Sequence, residues 1–597
     1  MLELLMGNEA IAAGALAAGV RVVSGYPGTP STEVLETIAK RNPGFVHVEW
    51  SVNEKAALEV AAGAAYSGAR ALVTMKQVGL NVASDPLMSL NYVGVKGGMV
   101  VFVADDPGPI SSQTEQDTRH FGKFAKIPVF DPSSPEDAYE MIQDAFNWSE
   151  RCGMPVIFRA TTRVCHACAS VDIEIPGEGR PVSGFVKSSD FVIFPKLSYE
   201  NKKKLEAREV LLSDSFSNYK YNAISGNGSV GIACGGVSAA YTAEALEDLE
   251  DSFRVFRVAT PFPFPEKKAE EFLQGLERVI VFEELDPVIE DALIHLCGKK
   301  HINVEILGKR TGTVPNAGEL SAVTVRNILA EVCGTTPWPG AEAPDSLPEL
   351  PVRPPVLCAG CPHRASFYAV KKAMEGKRAV FCGDIGCYTL GNAAPLNMVD
   401  TCLCMGAGIT VAQGIGHGEP GSVNFGFIGD STFFASGITG VINAVYNKSD
   451  IIAVILDNST TAMTGHQPHP GIGKTVMGEE AEAISISAVL KAVGVKTVLE
   501  VNPLDHEAAV SAVRQAAEQK GVRAIIFRSP CIAKEKSKKR CSVETESCIG
   551  CRKCIRELGC PAIFMEAGKA KIDKGLCTGC GLCASVCPKQ CMKEVEA

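Results

Sequence analysis

The sequence predicts a multidomain α/β protein built on doubly wound parallel sheets, with a small cysteine-dense α+β domain at its C-terminus. Its 597 residues are too many for one hydrophobic core and correspond to about four domains. Short apolar runs alternate with Ala-rich helical stretches and Gly/Pro turns, which is the rhythm of repeated βαβ units. From residue 541 onward the long apolar runs stop and the cysteines cluster.

These patterns divide the chain into segments of different character. Proline-rich sequence cannot sustain a helix or a sheet ladder, and a basic run at residues 534–540 is expected to be a solvated linker. In chain order the segments are an α/β unit (residues 1–172), an irregular charged connector (173–228), a second α/β unit (229–334), a Pro-rich linker (335–355), a third α/β unit (356–535) and a cysteine-dense tail (541–597).

Composition and charge exclude several classes of protein. Apolar residues make up 46% of the chain and charged residues 21%, as in an ordinary folded protein. The net charge is 58 minus 68, or −10, so nucleic acid is not expected as the main partner. Residues 1–20 lack a basic n-region, and no apolar run reaches about 18 residues. Neither a secretory signal nor a membrane helix is therefore expected, and the cytoplasm is the expected location.

The tail carries cysteines at the spacing of iron ligands. Two C-x2-C-x2-C triplets are each followed by a Cys-Pro pair, a pattern that structural zinc sites rarely use. In two-cluster ferredoxins each triplet holds one [4Fe-4S] cube, and the fourth ligand crosses over from the other group. The predicted ligands are Cys548, Cys551, Cys554 and Cys587 for the first cluster, and Cys577, Cys580, Cys583 and Cys560 for the second.

Oxygen-bearing side chains follow two apolar runs in residues 424–465. One run ends at Asp430 and the other at Asn458, and ligands of open parallel sheets bind beyond the carboxyl ends of strands. A diphosphate bound there requires a hard cation with oxygen ligands. Asp430, Asn458 and the backbone carbonyl of Thr460 supply such a set for Mg²⁺.

This pattern resembles the thiamine-diphosphate motif, G-D-G followed by N-N. The two side-chain ligands stand 28 residues apart, from 430 to 458. Gly429 matches the motif, whereas Ser431 replaces its last glycine and Asp457 its first asparagine, and neither change removes a ligand. The turn that begins Met405-Gly406 resembles one that similar enzymes place near the cofactor. An ordinary polar turn is the alternative for these residues.

Thiamine chemistry requires a carboxyl group that hydrogen-bonds the pyrimidine ring from an apolar pocket, where its pKa rises toward neutrality. Glu54 fits, because it stands between an apolar stretch and an Ala-rich helix that resembles the pyrimidine-binding domain of thiamine enzymes. The alternatives are that Glu54 is a solvated first-turn glutamate favoured by the helix dipole, or that Glu49 or Glu59 has the role.

The whole chain resembles the 2-oxoacid:ferredoxin oxidoreductases, and within them the branch that acts on aryl pyruvates such as indolepyruvate. Residues 24–31 read SGYPGTPS, which looks like the Y-P-x-T-P-S signature of that family. By this resemblance Thr29 approaches the substrate. Four further cysteines resemble the ligands of a third, proximal cluster, with free buried thiols as the alternative; they are Cys358, Cys361, Cys387 and Cys531.

The resemblance also implies a reaction and partners. Thiamine would attack the keto carbon as an ylide, CO2 would leave, and two electrons would pass singly through the clusters to ferredoxin, with CoA taking the acyl group. A smaller beta subunit would accompany dimerised alpha subunits in a hetero-oligomer.

Two questions stay open at this stage. The substrate could be pyruvate or a branched-chain oxoacid instead, or the chain could be a noncatalytic electron-transfer scaffold. His363, His466 and His469 are possible pocket groups to which the sequence assigns no role.

Overall fold

The structure, a computed structural model, describes residues 1–174, 180–249, 252–338, 350–351, 353–534 and 539–596. The chain forms two compact units, Met1–Pro348 and Glu349–Ala597. Part of the predicted connector, most of the predicted Pro-rich linker and the middle of the basic run lie outside the described residues. The predicted segments therefore regroup into two units, and their individual boundaries stay predictions.

The first unit alternates strands and helices, as its apolar runs predict. Its strands are β1 (Leu2–Met6), β2 (Val22–Gly25), β3 (His47–Trp50), β4 (Ala71–Lys76), β5 (Met99–Asp105), β6 (Val129–Phe130), β7 (Val156–Thr161), β8 (Cys168–Asp172), β9 (Ile224–Ser225), β10 (Val230–Gly235), β11 (Phe253–Val258), β12 (Arg278–Phe282) and β13 (Glu305–Leu307). Its helices are α1 (Gly7–Ala17), α2 (Thr32–Lys40), α3 (Glu54–Tyr66), α4 (Gln77–Val82), α5 (Ser84–Val93), α6 (Arg119–Ala125), α7 (Pro135–Cys152), α8 (Thr162–His166), α9 (Pro195–Phe216), α10 (Val237–Ala245), α11 (Glu266–Leu273), α12 (Val288–Lys300) and α13 (Ala322–Cys333).

The first sheet of this unit is parallel throughout, in the order β3-β2-β4-β5-β7-β6. All residues of β5 and β7 are buried, which is why these strands are continuous apolar runs rather than alternating ones. The carboxyl ends of β2, β3, β4 and β5 lie along one edge of the sheet. The loop with Thr29 follows β2, and Glu54 begins the helix after β3.

A buried arginine, Arg119, holds the first sheet of this unit to the second. Arg119 forms ion pairs with Asp117 at 2.6 Å and with Glu283, which follows β12, at 2.7 Å. Within the first sheet, Arg159 in β7 pairs with Asp105 in β5 at 2.8 Å. Because an unpaired charge is costly to bury and losing one partner is strongly destabilising, the Arg119–Glu283 pair fixes the two layers against each other.

The second sheet has the order β13-β12-β10-β11-β9. The connector that leads to it was predicted to be irregular, and that prediction is wrong: α9 spans 22 residues of it. Pro195 occupies the first turn of α9, where a missing N–H is tolerated. Leu205, Leu212 and Phe216 are buried at helical spacing. The many charged residues between them obscured this periodicity.

The second unit continues the alternation and ends in short elements. Its strands are β14 (Ala379–Cys382), β15 (Val423–Gly429), β16 (Ile451–Asp457), β17 (Thr497–Val501), β18 (Val522–Arg528), β19 (Lys539–Val543), β20 (Ile563–Glu566), β21 (Lys569–Ile572) and β22 (Met592–Glu596). Its helices are α14 (Pro362–Ala373), α15 (Ala407–Gly418), α16 (Asp430–Thr432), α17 (Ile438–Tyr446), α18 (Ile486–Ala492), α19 (His506–Glu518), α20 (Lys553–Leu558) and α21 (Leu582–Val586), with a π-helical turn at Phe433–Gly437.

The main sheet of the second unit is parallel, in the order β14-β15-β16-β18-β17. The cysteine-dense tail adds two antiparallel pairs, β19 with β22 and β20 with β21. The predicted fold class, α/β with parallel sheets and a C-terminal ferredoxin-like domain, is confirmed. The tail does not have a separate hydrophobic core, because Phe425 and Phe427 of β15 belong to the same buried core as Leu558 and Leu582 of the tail.

Among the described residues, no helix combines the length and apolar character that crossing a membrane would need.

Candidate active site and cluster cavities

The predicted diphosphate-binding residues stand at the ends of two neighbouring strands. β15 and β16 are hydrogen-bonded partners, and Gly429 pairs with Leu456. Asp430 and Asn458 each follow one of these strands, and both side chains are buried. Ser459 between Asn458 and Thr460 has the left-handed φ of 58°, which turns the chain sharply at this edge of the sheet. Strand pairing therefore brings these residues to one place.

Two buried oxygens at this edge make no hydrogen bond among the described residues. Asp430 accepts the backbone N–H of Ser431 on Oδ1 at 2.8 Å, whereas its Oδ2 and the Oδ1 of Asn458 have no hydrogen-bond partner among the described residues. A buried acceptor without a donor is costly. Carboxylate and amide oxygens are the ligands that Mg²⁺ prefers, so these two atoms fit a divalent cation.

His363, to which the sequence assigned no role, supports Asn458. Its Nε2 lies 3.3 Å from the Asn458 amide nitrogen. Burial lowers the pKa of His363 to about 4, although the charge of Asp430 opposes this shift. The ring is therefore neutral and can accept from the amide group, which leaves the Asn458 carbonyl oxygen for a cation. Because His363 and Asn458 are 95 residues apart, no local pattern in the sequence could reveal the pair.

The other two histidines differ from each other. His469 is buried and places Nε2 at 3.1 Å from Asp430 Oδ2, although neither atom makes a hydrogen bond of good geometry among the described residues. Its Nδ1 accepts the Gly471 N–H at 3.2 Å, so the ring carries its proton on Nε2. His466 is exposed. Of the three histidines, only His363 and His469 thus lie at the predicted diphosphate edge, the strand ends that carry Asp430 and Asn458.

Asp384 is a site residue that sequence reasoning missed. It is buried beyond the end of β14, the strand next to β15, and burial raises its pKa to about 7. Its carboxyl accepts the Gly406 N–H at 2.7 Å and the Tyr388 hydroxyl at 3.0 Å. The Met405-Gly406 turn is thereby fixed at the start of α15. A polar residue directly after a predicted strand, in GDIGC, was the available signal.

Gly406 has to be glycine for two reasons. Its φ is 86°, a conformation that other residues rarely adopt. A Cβ at this position would also lie 2.1 Å from the Ser436 hydroxyl oxygen. The turn therefore lies so close to the π-helical segment at Phe433–Gly437 that there is no room for a side chain at Gly406.

Glu54 is buried, although it lies in the first turn of α3 as the competing interpretation assumed. Desolvation raises the pKa of its carboxyl to about 7, against the opposing effects of its own backbone N–H and the Lys76 ammonium. Gly79 covers the carboxyl, since a Cβ there would lie 2.6 Å from Glu54 Oε1. The helix is capped instead by Asn53, which accepts the Ala56 N–H at 2.9 Å.

The two alternative glutamates have other partners. Glu49 accepts from the Ser51 hydroxyl at 2.8 Å and lies 2.8 Å from His47 Nε2, and Glu59 is an exposed ion-pair partner of Lys55. Of the three candidates, Glu54 alone has the buried, protonatable carboxyl that thiamine activation requires.

Thr29 lies in the loop after β2, partly buried. Its carbonyl oxygen accepts the Ser111 hydroxyl at 3.2 Å. Asp106 holds the segment of Ser111, because its Oδ2 accepts the backbone N–H groups of Ser111 and Ser112 at 2.8 Å each. The loops after β2 and β5 are thereby joined at the edge that carries Glu54.

The four cysteines of the possible third cluster form one group. Burial, and to a smaller extent the neighbouring charges of Cys358 and Cys531, raise the pKa of Cys387 to about 11. Burial likewise raises the pKa of Cys361 to about 12, with Cys358 adding to the effect. The backbone N–H of Cys531 donates to the backbone carbonyl oxygen of Asn458 at 2.9 Å. The group therefore adjoins the diphosphate edge.

Each predicted four-cysteine set of the tail lines one cavity. The crossover residues Cys587 and Cys560 stand with the triplets to which the sequence assigned them. The first cavity is lined by Cys548, Cys551, Cys554 and Cys587, and the second by Cys577, Cys580, Cys583 and Cys560. Clustered thiols around an enclosed space suit an iron-sulfur cube.

Both cavities contain a fifth cysteine that sequence reasoning did not single out, and the second cavity is also lined by Cys361 of the possible third cluster. Cys591 lines the first cavity and places its sulfur 3.3 Å from that of Cys587. Cys541 lines the second cavity, and its backbone N–H donates to the Cys577 sulfur at 3.3 Å. Neither belongs to a C-x2-C triplet, so spacing gave no signal for them. A thiol beside a ligand sulfur can donate a hydrogen bond to it.

Arg364 stands between the third cysteine group and the second cavity. Its guanidinium donates to the carbonyl oxygens of Leu558 and Gly559 at 2.5 and 3.0 Å. Burial lowers its pKa, whereas nearby thiol charges, including those of Cys560 and Cys361, raise it. Gly360 approaches the tail so closely that a Cβ there would lie 1.8 Å from the Thr578 hydroxyl oxygen.

The fifth cysteines give a test of which sulfurs bind iron. We expect Cys587→Ser to lose most of one cluster's iron, about four iron atoms per chain, because it removes a predicted ligand. Cys591→Ser should keep the iron and change only the reduction potential, since hydrogen bonds to cluster sulfurs tune that potential. Iron analysis and EPR titration of the two variants check this. Full iron in Cys587→Ser with loss in Cys591→Ser would reverse the assignment.

Three family models match the chain at these places. The model described as pyruvate flavodoxin/ferredoxin oxidoreductase, thiamine diphosphate-binding, matches residues 13–187. The C-terminal TPP-binding domain of thiamine pyrophosphate enzymes matches residues 384–527, which include Asp384, Asp430 and Asn458. The 4Fe-4S binding domain matches residues 570–593. Together with the fold, these matches define a thiamine-diphosphate-dependent 2-oxoacid:ferredoxin oxidoreductase.

Relatives of full length narrow this class. Indolepyruvate oxidoreductase subunit IorA of Archaeoglobus fulgidus is 41% identical, over 99% of this chain and 97% of the relative. The subunits of the same name from Methanothermobacter thermautotrophicus and Pyrococcus abyssi are each 41% identical over the same shares. The chain belongs to this family, the alpha subunits of indolepyruvate ferredoxin oxidoreductase.

A solved structure of 2-oxoglutarate:ferredoxin oxidoreductase from Magnetococcus marinus covers 55% of this chain and 65% of that chain, with 18% identity and a TM-score of 0.44.

Proposed function

We propose that the chain catalyses oxidative decarboxylation of aryl pyruvates, indolepyruvate above all, with CoA as acyl acceptor. The products are the aryl-acetyl-CoA, CO2 and a proton, and two electrons pass to ferredoxin. The substrate assignment rests on the 41% identity over 99% of the chain with a relative named indolepyruvate oxidoreductase subunit IorA.

In this proposal Asp430, Asn458 and the Thr460 carbonyl hold Mg²⁺, and the metal holds the diphosphate. Their support is the pair of buried oxygens, on Asp430 and Asn458, that make no hydrogen bond among the described residues. Gly429, Ser431, Met405 and Gly406 line the cofactor. Thiamine diphosphate, when bound, supplies the carbon nucleophile and electron sink of the reaction. His363 holds the Asn458 amide so that its oxygen faces the cation.

Glu54 is proposed to hold a proton in a hydrogen bond to the pyrimidine ring. Its burial and its pKa of about 7 support this role, since a carboxyl at its ordinary pKa would be ionised at neutral pH. Thr29 is proposed to face the substrate from the neighbouring loop.

We assign the electrons a route through three clusters. The set Cys358, Cys361, Cys387 and Cys531 adjoins the diphosphate edge and would receive the electrons first. The second tail cavity follows, because Cys361 and Arg364 line it together with Cys560. The first tail cavity would then pass electrons to ferredoxin. A smaller beta subunit completes the enzyme, with dimerised alpha subunits.

Initial rates on indolepyruvate, phenylpyruvate and pyruvate test the substrate assignment. The chain is purified with its smaller subunit and assayed with CoA and a dye acceptor under argon. We expect kcat/KM for the aryl substrates to exceed that for pyruvate at least tenfold, about 1.4 kcal/mol of transition-state discrimination. A preference for pyruvate would overturn the aryl assignment.

Mass spectrometry of the denatured protein distinguishes the proposed enzyme from a noncatalytic electron-transfer scaffold. We expect one thiamine diphosphate per alpha subunit. Intact clusters without thiamine, and without turnover of any of the three substrates, would contradict the enzymatic proposal.

A further inference from the structure

Lys76 is the last residue of β4, at the same edge of the first sheet as Thr29 and Glu54. β4 lies between β2 and β5 in the strand order. The loop of Thr29 follows β2 and Asp106 follows β5, so the ends of three neighbouring strands surround the Lys76 side chain.

Two glycine contacts define where that side chain runs. A Cβ at Gly28 would lie 3.0 Å from both Cγ and Cδ of Lys76, so the aliphatic part of the lysine packs along the loop directly beside Thr29. The helix that begins after Lys76 carries Gly79, which covers the Glu54 carboxyl. Lys76 therefore lies between the proposed substrate loop and the proposed activating carboxyl.

The ammonium group has no direct partner of opposite charge. It is half-buried, and its Nζ makes no hydrogen bond and no ion pair within 4 Å among the described residues. Burial lowers its pKa, while the charges of Asp106 and Glu54 act in the opposite direction. Neither acid pairs with the ammonium directly, and both have other roles. The oxygens of Asp106 accept from Ser111, Ser112 and Thr162, and Glu54 retains its proton up to a pKa of about 7.

Two other lysines whose pKa is lowered by burial have hydrogen-bond partners. Burial also lowers the pKa of Lys309 and Lys371, but Lys309 donates to the Pro315 carbonyl oxygen at 2.6 Å and Lys371 to the Leu396 carbonyl oxygen at 2.8 Å. A half-buried cation without a partner is costly. Such a group at the ends of parallel strands, where ligands of open sheets bind, points to an anionic ligand.

We propose that Lys76 binds the carboxylate of the 2-oxoacid substrate. This inference rests on the proposed function, because it takes the substrate from it. Every 2-oxoacid has a carboxylate next to its keto carbon, so one cation beside Thr29 would orient the keto carbon for attack. The anionic diphosphate has its own proposed ligands in the second unit, at Asp430 and Asn458, and does not require Lys76.

An ion pair with this carboxylate is made in the ground state and is lost as CO2 leaves. Removing it should therefore raise KM more than it lowers kcat. In Lys76→Met, which keeps the length and removes the charge, we expect KM for phenylpyruvate to rise about 10- to 100-fold, the range of a charged hydrogen bond. We expect kcat to stay within about threefold of the parent. Lys76→Arg should restore most of the affinity.

Binding to the thiamine-loaded chain supplies a readout apart from turnover. Isothermal titration compares 3-phenylpropanoate with its uncharged amide. The parent should bind the acid more tightly than the amide, and Lys76→Met should bind both alike, with unchanged affinity for thiamine diphosphate. Equal discrimination in both proteins would overturn the inference. So would a fall in kcat with a displaced pH profile, because Lys76 would then act on Glu54. If the parent itself oxidises none of the three oxoacids, the proposed function fails instead.

Discussion

Glu54→Gln is expected to lower kcat on indolepyruvate by about 100- to 1,000-fold, the usual contribution of a placed acid or base. Glutamine keeps the shape of the buried side chain but cannot hold or release the proton. Affinity for thiamine diphosphate should change by less than about tenfold, since the proposed diphosphate ligands lie in the other unit. Dye-reduction kinetics and thiamine titration of the same preparation measure both quantities.

The two competing glutamates provide matched controls for Glu54. Glu49→Gln and Glu59→Gln remove carboxylates that pair with His47 and Lys55 at the surface, and exposed pairs of this kind contribute little. Both variants should keep more than half of the parent kcat. A large loss in either one, with Glu54→Gln still active, would transfer the proposed role to that residue.

The raised pKa of Glu54 also predicts the pH dependence of stability. In the unfolded chain this carboxyl loses its proton near 4.5, and in the folded chain near 7. The folded state therefore binds the proton more tightly, and the free energy of unfolding falls as pH rises between these values. Above pH 7 the accumulated cost is about 3 kcal/mol. Thiamine-free Glu54→Gln should gain stability over the parent at pH 8.5 and not at pH 4.5, as measured by Tm.

Asp430→Asn is expected to weaken thiamine diphosphate binding about 100-fold or more, equal to about 2.7 kcal/mol. The change removes one negative ligand from the proposed Mg²⁺ site and leaves the side-chain shape intact. Titration of thiamine diphosphate at several Mg²⁺ concentrations measures it. Chelation of Mg²⁺ from the parent should reproduce the same loss.

Asp457→Asn is the matched control for Asp430→Asn at the neighbouring strand end. The Asp457 carboxylate accepts from Arg528 Nε at 2.8 Å and from the Ser459 N–H at 3.1 Å, so it is not free for a cation. Its variant should retain thiamine affinity within about tenfold and lose stability instead. The reverse pattern of affinities would refute the metal assignment.

The parts of the fold that the sequence predicted are those fixed by local pattern. Buried parallel strands are apolar along their whole length, so β5, β7, β15 and β16 could be recognised from composition. The spacing of the tail cysteines is likewise local. The 22-residue helix α9 was missed because its three buried residues are separated by charged ones that dominate any short window.

The parts that could not be predicted depend on pairs distant in the chain. Nothing near His363 indicates that it supports Asn458, and Asp384 acquires its role only when Gly406 and Tyr388 reach it. The burial of Glu54 depends on Gly79, which comes from another helix. Lys76 became noticeable only through the partners it lacks among the described residues. Chemistry at strand ends is assembled by the sheet order, which one sequence does not reveal.

The core that Phe425 and Phe427 share with Leu558 and Leu582 links metal supply to protein folding. Cubes assembled in the tail would hold in place side chains that the parallel sheet also needs. A cell short of iron would then lose the folded thiamine-binding sheet of the second unit along with its electron carriers. Deleting the tail should leave an insoluble remnant rather than a slower enzyme.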